Sequence, residues 1–339
     1  MKNELNWLLA IVFCAGVFTA CTSEDDNAVR PATPVVEVDI NETNFPDENF
    51  RRFLLEQDYG KDGMLTSAEI ASITVMDIAK KDIESLKGIE FFTALDTLDC
   101  FDNYLDVLDV SKNVALRELI CAANVLTALD VSKNKKLEIL YCGFNYLTSL
   151  DVSKNTALIE LACHFNELTS LDVSQNTVLE FLQCNTNHLE RLDVSQNSAL
   201  TELSCDENKL TTLDVSKNSA LTDLFCSGNE LTTLDVSKNS ALTYLYCAGN
   251  KLTELVIPSN SPLSTLFLSR NKISGKNMDD LISSLSQNTS SERHMFAVID
   301  NLDGDEENVF TKSQSDAVKA KGWLPVYWDE KDKGWKELD

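Results

Sequence analysis

From Leu95 onward the apolar residues fall in one frame, L-x-x-L-x-C-x-x-N-x-L-x-x-L, which returns every 21 residues. Within the first copy, Leu98 and Cys100 flank Asp99, the alternation of a short strand with one buried face. Asn103 breaks the alternation, and Leu105 and Leu108 carry the chain on at a different spacing. The slot after the strand leucine holds Cys100, Cys121, Cys142, Cys163, Cys184, Cys205, Cys226 and Cys247. A further copy starts at Leu263 and has Leu268 in that slot, so the slot asks for a buried apolar side chain. Seven copies continue D-V-S-x-N. Each L-x-C segment is expected to pair in parallel with its neighbours, and each D-V-S-x-N segment to return the chain along the opposite side.

A single unit of this length cannot bury its own apolar face, so the copies must stack. This period with this leucine pattern marks the leucine-rich repeat. The pattern resembles leucine-rich repeat surface proteins of bacteria. The 21-residue period with cysteine in the strand is most similar to internalin J and its relatives, which are cell-surface adhesins. Similar chains occur as surface lipoproteins of gut and oral Bacteroidota. The resemblance spans residues 73–274 and implies adhesion or protein binding, without a particular ligand. The expected fold class is an α/β solenoid: a leucine-rich repeat array with a parallel sheet on the concave side, a helical N-terminal cap and an α/β C-terminal cap.

The flanks read differently. Residues 73–94 make one irregular repeat, with Ile73, Met76, Ile78, Ile83, Leu86, Ile89 and Phe92 in apolar slots and Lys81 where asparagine would stand. Ahead of it, residues 41–72 predict a helical entry. Phe50, Phe53 and Leu54 recur at helical spacing after Pro46, a good first-turn residue. The run from Asp58 to Glu69 fits a calcium loop of the EF-hand type, with Asp58, Asp62 and Glu69 at its first, fifth and twelfth positions and Gly63 at its sixth. Gly60, at the third position, supplies no ligand. The same run also reads as an end cap in which Thr66 and Glu69 form a capping box. Internalin-like proteins carry a helical cap resembling a degenerate EF-hand. No cofactor is expected, and calcium is the one ion the sequence brings into question.

Residues 1–20 have Lys2, an apolar run from Trp7 to Phe18, and the small residues Thr19 and Ala20, the layout of a secretory signal too short to span a membrane. Phe18-Thr19-Ala20-Cys21 is similar to the lipobox of bacterial lipoproteins, which implies lipidation of Cys21. An ordinary cleavage site beside an incidental cysteine is the other reading. Ser23-Glu24-Asp25-Asp26 resembles the acidic tag that sends Bacteroidota lipoproteins to the outer face, and residues 21–40 then read as a lipidated tether. The implied location is the outer membrane, lipid-anchored and facing the cell exterior. At the other end, residues 275–339 predict a helix over 278–287, a strand over 295–300, a helix over 311–320 and a strand over 323–328, together extending and closing the sheet. Asp300, Asp303, Asp305, Glu306 and Glu307 form an acidic loop, for a cation or simply for solvent. Trp323, Trp328 and Trp335 either seal the end of the core or stack on sugars.

The net charge is −25, which disfavours nucleic acid and anionic lipid head groups as partners and leaves the lipid anchor as the only membrane contact expected. Ten cysteines in an exported chain would ordinarily suggest bridges. Here eight share one in-register column and point the same way into the core, so packed free thiols are expected. Catalysis finds no support. His164, His188 and His294 lack the spacing of a triad or zinc site, His164 is expected on the exposed face, and no phosphate-binding glycine loop is present.

What remains are the variable positions beside the strand leucines, which should face out of the sheet. Aromatic residues gather there at two ends: Tyr141, Phe144 and Phe165 at one, and Phe225, Tyr244, Tyr246 and Phe267 at the other. Aromatics favour strands in any case, but grouped exposed aromatics mark interaction sites. The expected function is adhesion or protein–protein binding through the concave face, to a host or microbial surface protein. The alternatives are a glycan-binding surface protein for nutrient capture and a structural envelope component.

Overall fold

The computed structural model describes residues 37–259, 262–289, 293–300, 306–329 and 334–338. The expected signal sequence, Cys21 and nearly all of the tether lie outside the described residues, as do Asp303 and Asp305 of the acidic loop. The chain opens with strand β1 (Glu37–Asp39), helix α1 (Glu48–Glu56), strand β2 (Met64–Thr66) and helix α2 (Ser67–Ser72). The array then contributes β3 (Val75–Asp77), β4 (Thr97–Asp99), β5 (Glu118–Ile120), β6 (Ile139–Tyr141), β7 (Glu160–Ala162), β8 (Phe181–Gln183), β9 (Glu202–Ser204) and β10 (Asp223–Phe225). It continues with β11 (Thr233–Asp235), β12 (Tyr244–Tyr246), β13 (Glu254–Val256) and β14 (Thr265–Phe267). Last come α3 (Gly275–Ser284), β15 (His294–Asp300), α4 (Lys312–Ala320), β16 (Trp323–Asp329) and β17 (Gly334–Glu337).

One thirteen-stranded sheet runs from β3 to β17, parallel throughout except for the antiparallel pair β16–β17. Within the array, from β3 to β14, neighbouring strands pair one repeat apart with no slip, as in Leu119 opposite Leu140 and Leu140 opposite Leu161. The return side is mostly irregular, and only β11 and β13 pair there as a second, two-stranded parallel sheet. The assigned strand is x-L-x, one residue earlier than the L-x-C expectation, so each cysteine sits just past a strand end. All eight ladder cysteines are free and fully buried. Burial pushes every thiol pKa up, as at Cys163, where it reaches about 12.

Two asparagine columns hold the turns between these layers. In the first, Asn145 donates through Nδ2 to the carbonyls of Cys121 and Cys142, both at 3.1 Å, and its Oδ1 accepts from the Leu126 amide at 2.9 Å. One amide thereby satisfies backbone groups of two successive repeats, and the same pattern recurs from Asn103 to Asn271. The second column lies in D-V-S-x-N. Asn155 donates to the carbonyls of Val131 and Asn134, both at 2.9 Å, and is fully buried. The aspartates of that segment do local work: the Ser153 amide donates to Asp151 at 2.9 Å, and that bond holds the carboxyl below its ordinary pKa.

The N-terminal end corrects two expectations. Residues at the end of the expected tether are a strand: β1 pairs antiparallel with β2, and Val38 and Ile40, alternating with acids, are buried. Pro46 lies ahead of the helix, not in its first turn. Asp47 is the cap, accepting from the Phe50 amide at 2.9 Å through one oxygen and from the Glu84 amide at 2.8 Å through the other. One carboxylate therefore caps α1 and ties it to the irregular repeat. Phe45 packs edge-on to Phe50 at 5.7 Å and against Phe91 at 5.6 Å, filling the space under Gly88, whose φ of 104° no residue with a Cβ would adopt there.

At the other end α3, β15, α4 and β16 fall close to their expected places, α3 starting earlier, at Gly275. Thr311 and Gln314 form a reciprocal capping box on α4. Strand β17, beyond the expected elements, adds an antiparallel edge strand to the sheet.

Two outcomes follow for the thiol column. Cys184→Ser places a hydroxyl without an assured partner in a fully buried slot, and is expected to cost roughly 1–3 kcal/mol in denaturant unfolding. Cys184→Ala should cost no more. Alkylation of the native protein should leave the ladder thiols unmodified, and all should react after unfolding; masses showing several bridges would contradict the free-thiol ladder.

Candidate binding face

Each x-L-x strand buries its leucine and sends two side chains out. On β3 to β14 within the main sheet these outward positions carry Asp77, Asp99, Glu118, Glu160, Glu202 and Asp223, and no lysine or arginine. Burial raises the carboxyls of Glu118 and Asp99, and neighbouring carboxylates push the same way. Arg117 stands just ahead of β5, where Glu138 already holds it in a bidentate pair at 2.8 and 2.9 Å. The lysines of the D-V-S-K-N segments, such as Lys154 and Lys217, are exposed on the return side. Those lysines stand among the aspartates of the same segments, whereas the outward strand positions carry acids with no cation among them.

At the expected first cluster the structure brings two of three residues together. The Phe144 and Phe165 rings stack at 4.4 Å and 8°, and the residues remain 41% and 43% exposed. Tyr141 does not join them; its hydroxyl donates to the Glu160 carboxylate on the next strand. His164 is not the exposed residue expected. Its ring lies over Gly143, where a Cβ would come within 2.6 Å of it, and edge-on to Phe144 at 5.1 Å. Burial pushes its pKa down to about 4, so the ring is neutral near neutral pH. Two exposed tyrosines that sequence reasoning passed over, Tyr104 and Tyr146, lie one residue after the inward asparagines, and Tyr146 lies beside the Phe144–Phe165 pair. The signal was present in the repeat frame but on the turn, outside the strand positions scanned.

Phe144 and Phe165 occupy a turn position that takes a left-handed backbone in every regular repeat, with φ of 52° and 50°. Gly228 and Gly249 occupy it two and three repeats beyond Thr186. Bulky side chains there are strained by about 1–2 kcal/mol.

The second cluster is a continuous run of rings. Phe225 meets Tyr246 at 5.0 Å, Tyr246 meets Phe267 at 4.4 Å, and Phe267 stacks on Trp335 of β17 at 4.8 Å. Phe267 is therefore not an exposed anchor. It is 8% exposed, packed with Ala297 and Val326 beneath the returning hairpin. Tyr244 stays exposed, while Phe225 and Tyr246 are half-buried. Of the tail tryptophans, Trp323 is buried and donates to the Ser286 carbonyl at 2.9 Å, whereas Trp335 keeps an exposed side.

The calcium-loop carboxylates are engaged elsewhere. Asp58 pairs with Lys61 at 2.5 Å, Asp62 accepts from the Met64 amide at 3.1 Å, and Glu69 closes the capping box by accepting from the Thr66 amide and hydroxyl, both at 2.8 Å. Gly60 is buried against the end of α1, where a Cβ would fall 2.1 Å from the Leu54 carbonyl oxygen. The third position of the loop is thus taken up by packing. Among the described residues no group of three or more histidines, cysteines, aspartates or glutamates is arranged to hold a metal.

These placements set expected outcomes. Phe267→Ala should destabilise by about 3 kcal/mol as a buried aromatic truncation. Phe144→Gly loses a ring stack but relieves a strained turn, so it should stay within about 1 kcal/mol of the parent; thermal and denaturant unfolding of both variants checks this. Chelation should change the melting temperature little, and a drop of many degrees would identify Asp58, Asp62 and Glu69 as a calcium site.

No protein-family model matches the chain, and none of the curated proteins matches it in sequence. Solved structures do. The functional domain of InlJ from Listeria monocytogenes, which includes a cysteine ladder, is 36% identical over 78% of this chain and 57% of its own length, with a TM-score of 0.68. The leucine-rich repeat protein LIC12759 from Leptospira interrogans is 25% identical over 65% of this chain and 61% of its own, with a TM-score of 0.59. YopM, a leucine-rich effector protein from Yersinia pestis, is 23% identical over 70% of this chain and 61% of its own, with a TM-score of 0.53, a likeness of fold alone. The chain spans less than two thirds of the length of each. A cysteine ladder is named in the InlJ structure, and one stacks here through eight repeats; the chain is an internalin J-like leucine-rich repeat protein.

Proposed function

We propose that the protein is a cell-surface adhesion or binding protein whose outward sheet face, the concave side of the array, takes up a host or microbial surface protein. The observation that carries this reading is the exposure of the Phe144–Phe165 stack and of Tyr244 on a preformed surface. Apolar rings held rigidly in water are where interface energy concentrates. Strands a repeat apart are about 4.8 Å from one another, so nine of them present on the order of 40 Å of face, enough for a standard protein interface. The mechanism is affinity through a rigid surface, with no catalytic cycle. The likeness to InlJ supports a binding role, and the lipobox-like run ending at Cys21 supports a lipid anchor in the outer membrane. No helix among the described residues is long and apolar enough to cross a membrane.

The experiment is a surface-protein binding screen run beside a glycan array with the full chain, followed by affinity and melting measurements on variants. Tyr244→Ala and Phe144→Ala are expected to weaken binding of the protein ligand by roughly 2 kcal/mol or more, with little change in melting temperature. Lys154→Ala and Lys217→Ala on the return side should change neither. Hits confined to glycans would move the reading to nutrient capture, and unchanged affinity in the aromatic variants would move the site off this face.

A further inference from the structure

Beside the stacked pair lies an open cavity of about 380 Å³, lined by Phe144, Tyr146, Phe165, Glu167, Thr186 and the inward asparagines 124, 145 and 166. Its one ionic lining group is an acid. Glu167 carries a carboxylate 2.7 Å from His188 Nε2 and about half exposed. Elsewhere on the sheet face Glu118 and Glu160 add carboxylates, and Arg117, just ahead of β5, is held by Glu138. His164, packed against Phe144, is neutral near neutral pH and supplies no cation of its own. A rigid aromatic surface with negative charge beside it is complementary to a planar cation: the guanidinium lies on a ring face while its edge donates to a carboxylate. The chain shows a version of this contact in its irregular repeat, where Lys80 places its Nζ 5.4 Å over the Phe101 ring. Lys80 there has the same left-handed backbone as Phe144 and Phe165, with φ of 56°.

We propose that this cavity receives an arginine side chain from a segment of the partner protein, stacked on the Phe144–Phe165 pair and paired with Glu167 through Oε1, His188 holding the other oxygen. The inference rests on the proposed reading of the array as a protein-binding face and names the chemistry of its partner. The strain at Phe144 and Phe165 fits this role. The same turn position is glycine at 228 and 249, so a ring is not needed to form the turn. Two consecutive repeats place phenylalanine there all the same, with the rings stacked and open to solvent.

The test uses the full chain and labelled glycine–serine peptides carrying arginine, with matched peptides carrying lysine, glutamine or glutamate, and chitohexaose as a neutral glycan. Fluorescence anisotropy at low salt is expected to rank arginine over glutamine by about tenfold or more, with lysine weaker than arginine and glutamate weakest. Phe144→Gly and Phe165→Gly should abolish the arginine preference, and Glu167→Gln should reduce it. The glycine variants suit the left-handed turn, so loss of binding is not loss of fold, and the melting temperature confirms it. Equal affinity for arginine and glutamine peptides, or competition by chitohexaose for the same site, overturns the inference. A preference that survives Phe144→Gly and Phe165→Gly but falls with Glu202→Gln overturns it while leaving the binding face standing. Tyr244→Ala and Phe144→Ala leaving a protein ligand's affinity unchanged would defeat the broader reading instead.

Discussion

The array depends on the inward asparagine of each repeat. A turn that reverses direction every few residues strands backbone amides and carbonyls in the interior, where each unpaired group costs about 1–3 kcal/mol. Asn166 answers this with one side chain: it donates to the carbonyls of Cys142 and Cys163, both at 3.1 Å, and accepts from the Leu147 amide at 2.9 Å. Two of those groups belong to the preceding repeat, so the bond network fixes register as well as satisfying the turn. A slip of one repeat against its neighbour would orphan both of those. The leucine and cysteine columns then pack because they are already aligned, and the thiol slot needs only an apolar group, as Leu268 in the last copy shows.

The same register explains how much was legible beforehand. A strict period means that the environment of one position is the environment of its whole column, so the strands, the buried thiols, the asparagine turns and the local role of the D-V-S-x-N aspartates could be read from the repeat. The closing helices were readable because Thr311 and Gln314 spell a capping box. What escaped lies where the period stops or where it governs backbone and not side chain. Strand β1 is three residues long and pairs with a segment 27 positions away, Val38 with Leu65, which no local pattern reports. The β17 hairpin buries Phe267 by bringing Trp335 onto it from the far end of the chain. Phe267 occupies an outward column, so column membership alone placed it in solvent. Tyr141 was likewise grouped with Phe144 by proximity in sequence, whereas its hydroxyl reaches across to Glu160 on the neighbouring strand.

The candidate site shows the limit of the repeat argument from the other side. Periodicity says that Asp102, Ala123, Phe144, Phe165, Thr186, Glu207, Gly228, Gly249 and Arg270 share a left-handed turn. It does not say what such a turn asks of the side chain. Glycine answers without strain, and aspartate tolerates the conformation because its short side chain bonds locally. Phenylalanine has neither excuse. Its presence at two adjacent positions means that the turn is held by its asparagine and by strand pairing firmly enough to impose the conformation on an unwilling residue.

That division of labour makes the array suited to binding. The inward columns supply the folding energy and the register, and the outward and turn positions are left free of structural duty. An aromatic at such a position is carried on rigid backbone with little conformational entropy to lose when a partner arrives, which is how preorganised surfaces gain affinity. The cost is borne locally: Phe144 strains one turn, and its stack with Phe165 offsets part of that strain. Charge is arranged by the same separation. The outward strand positions carry acids without lysine or arginine among them, whereas the return side sets its lysines among the D-V-S-x-N aspartates, so the carboxylates on the sheet face lack the counter-charges found behind it. A cationic segment of the kind proposed would be drawn to that face before contact, and the rings would then set where on it the segment stops.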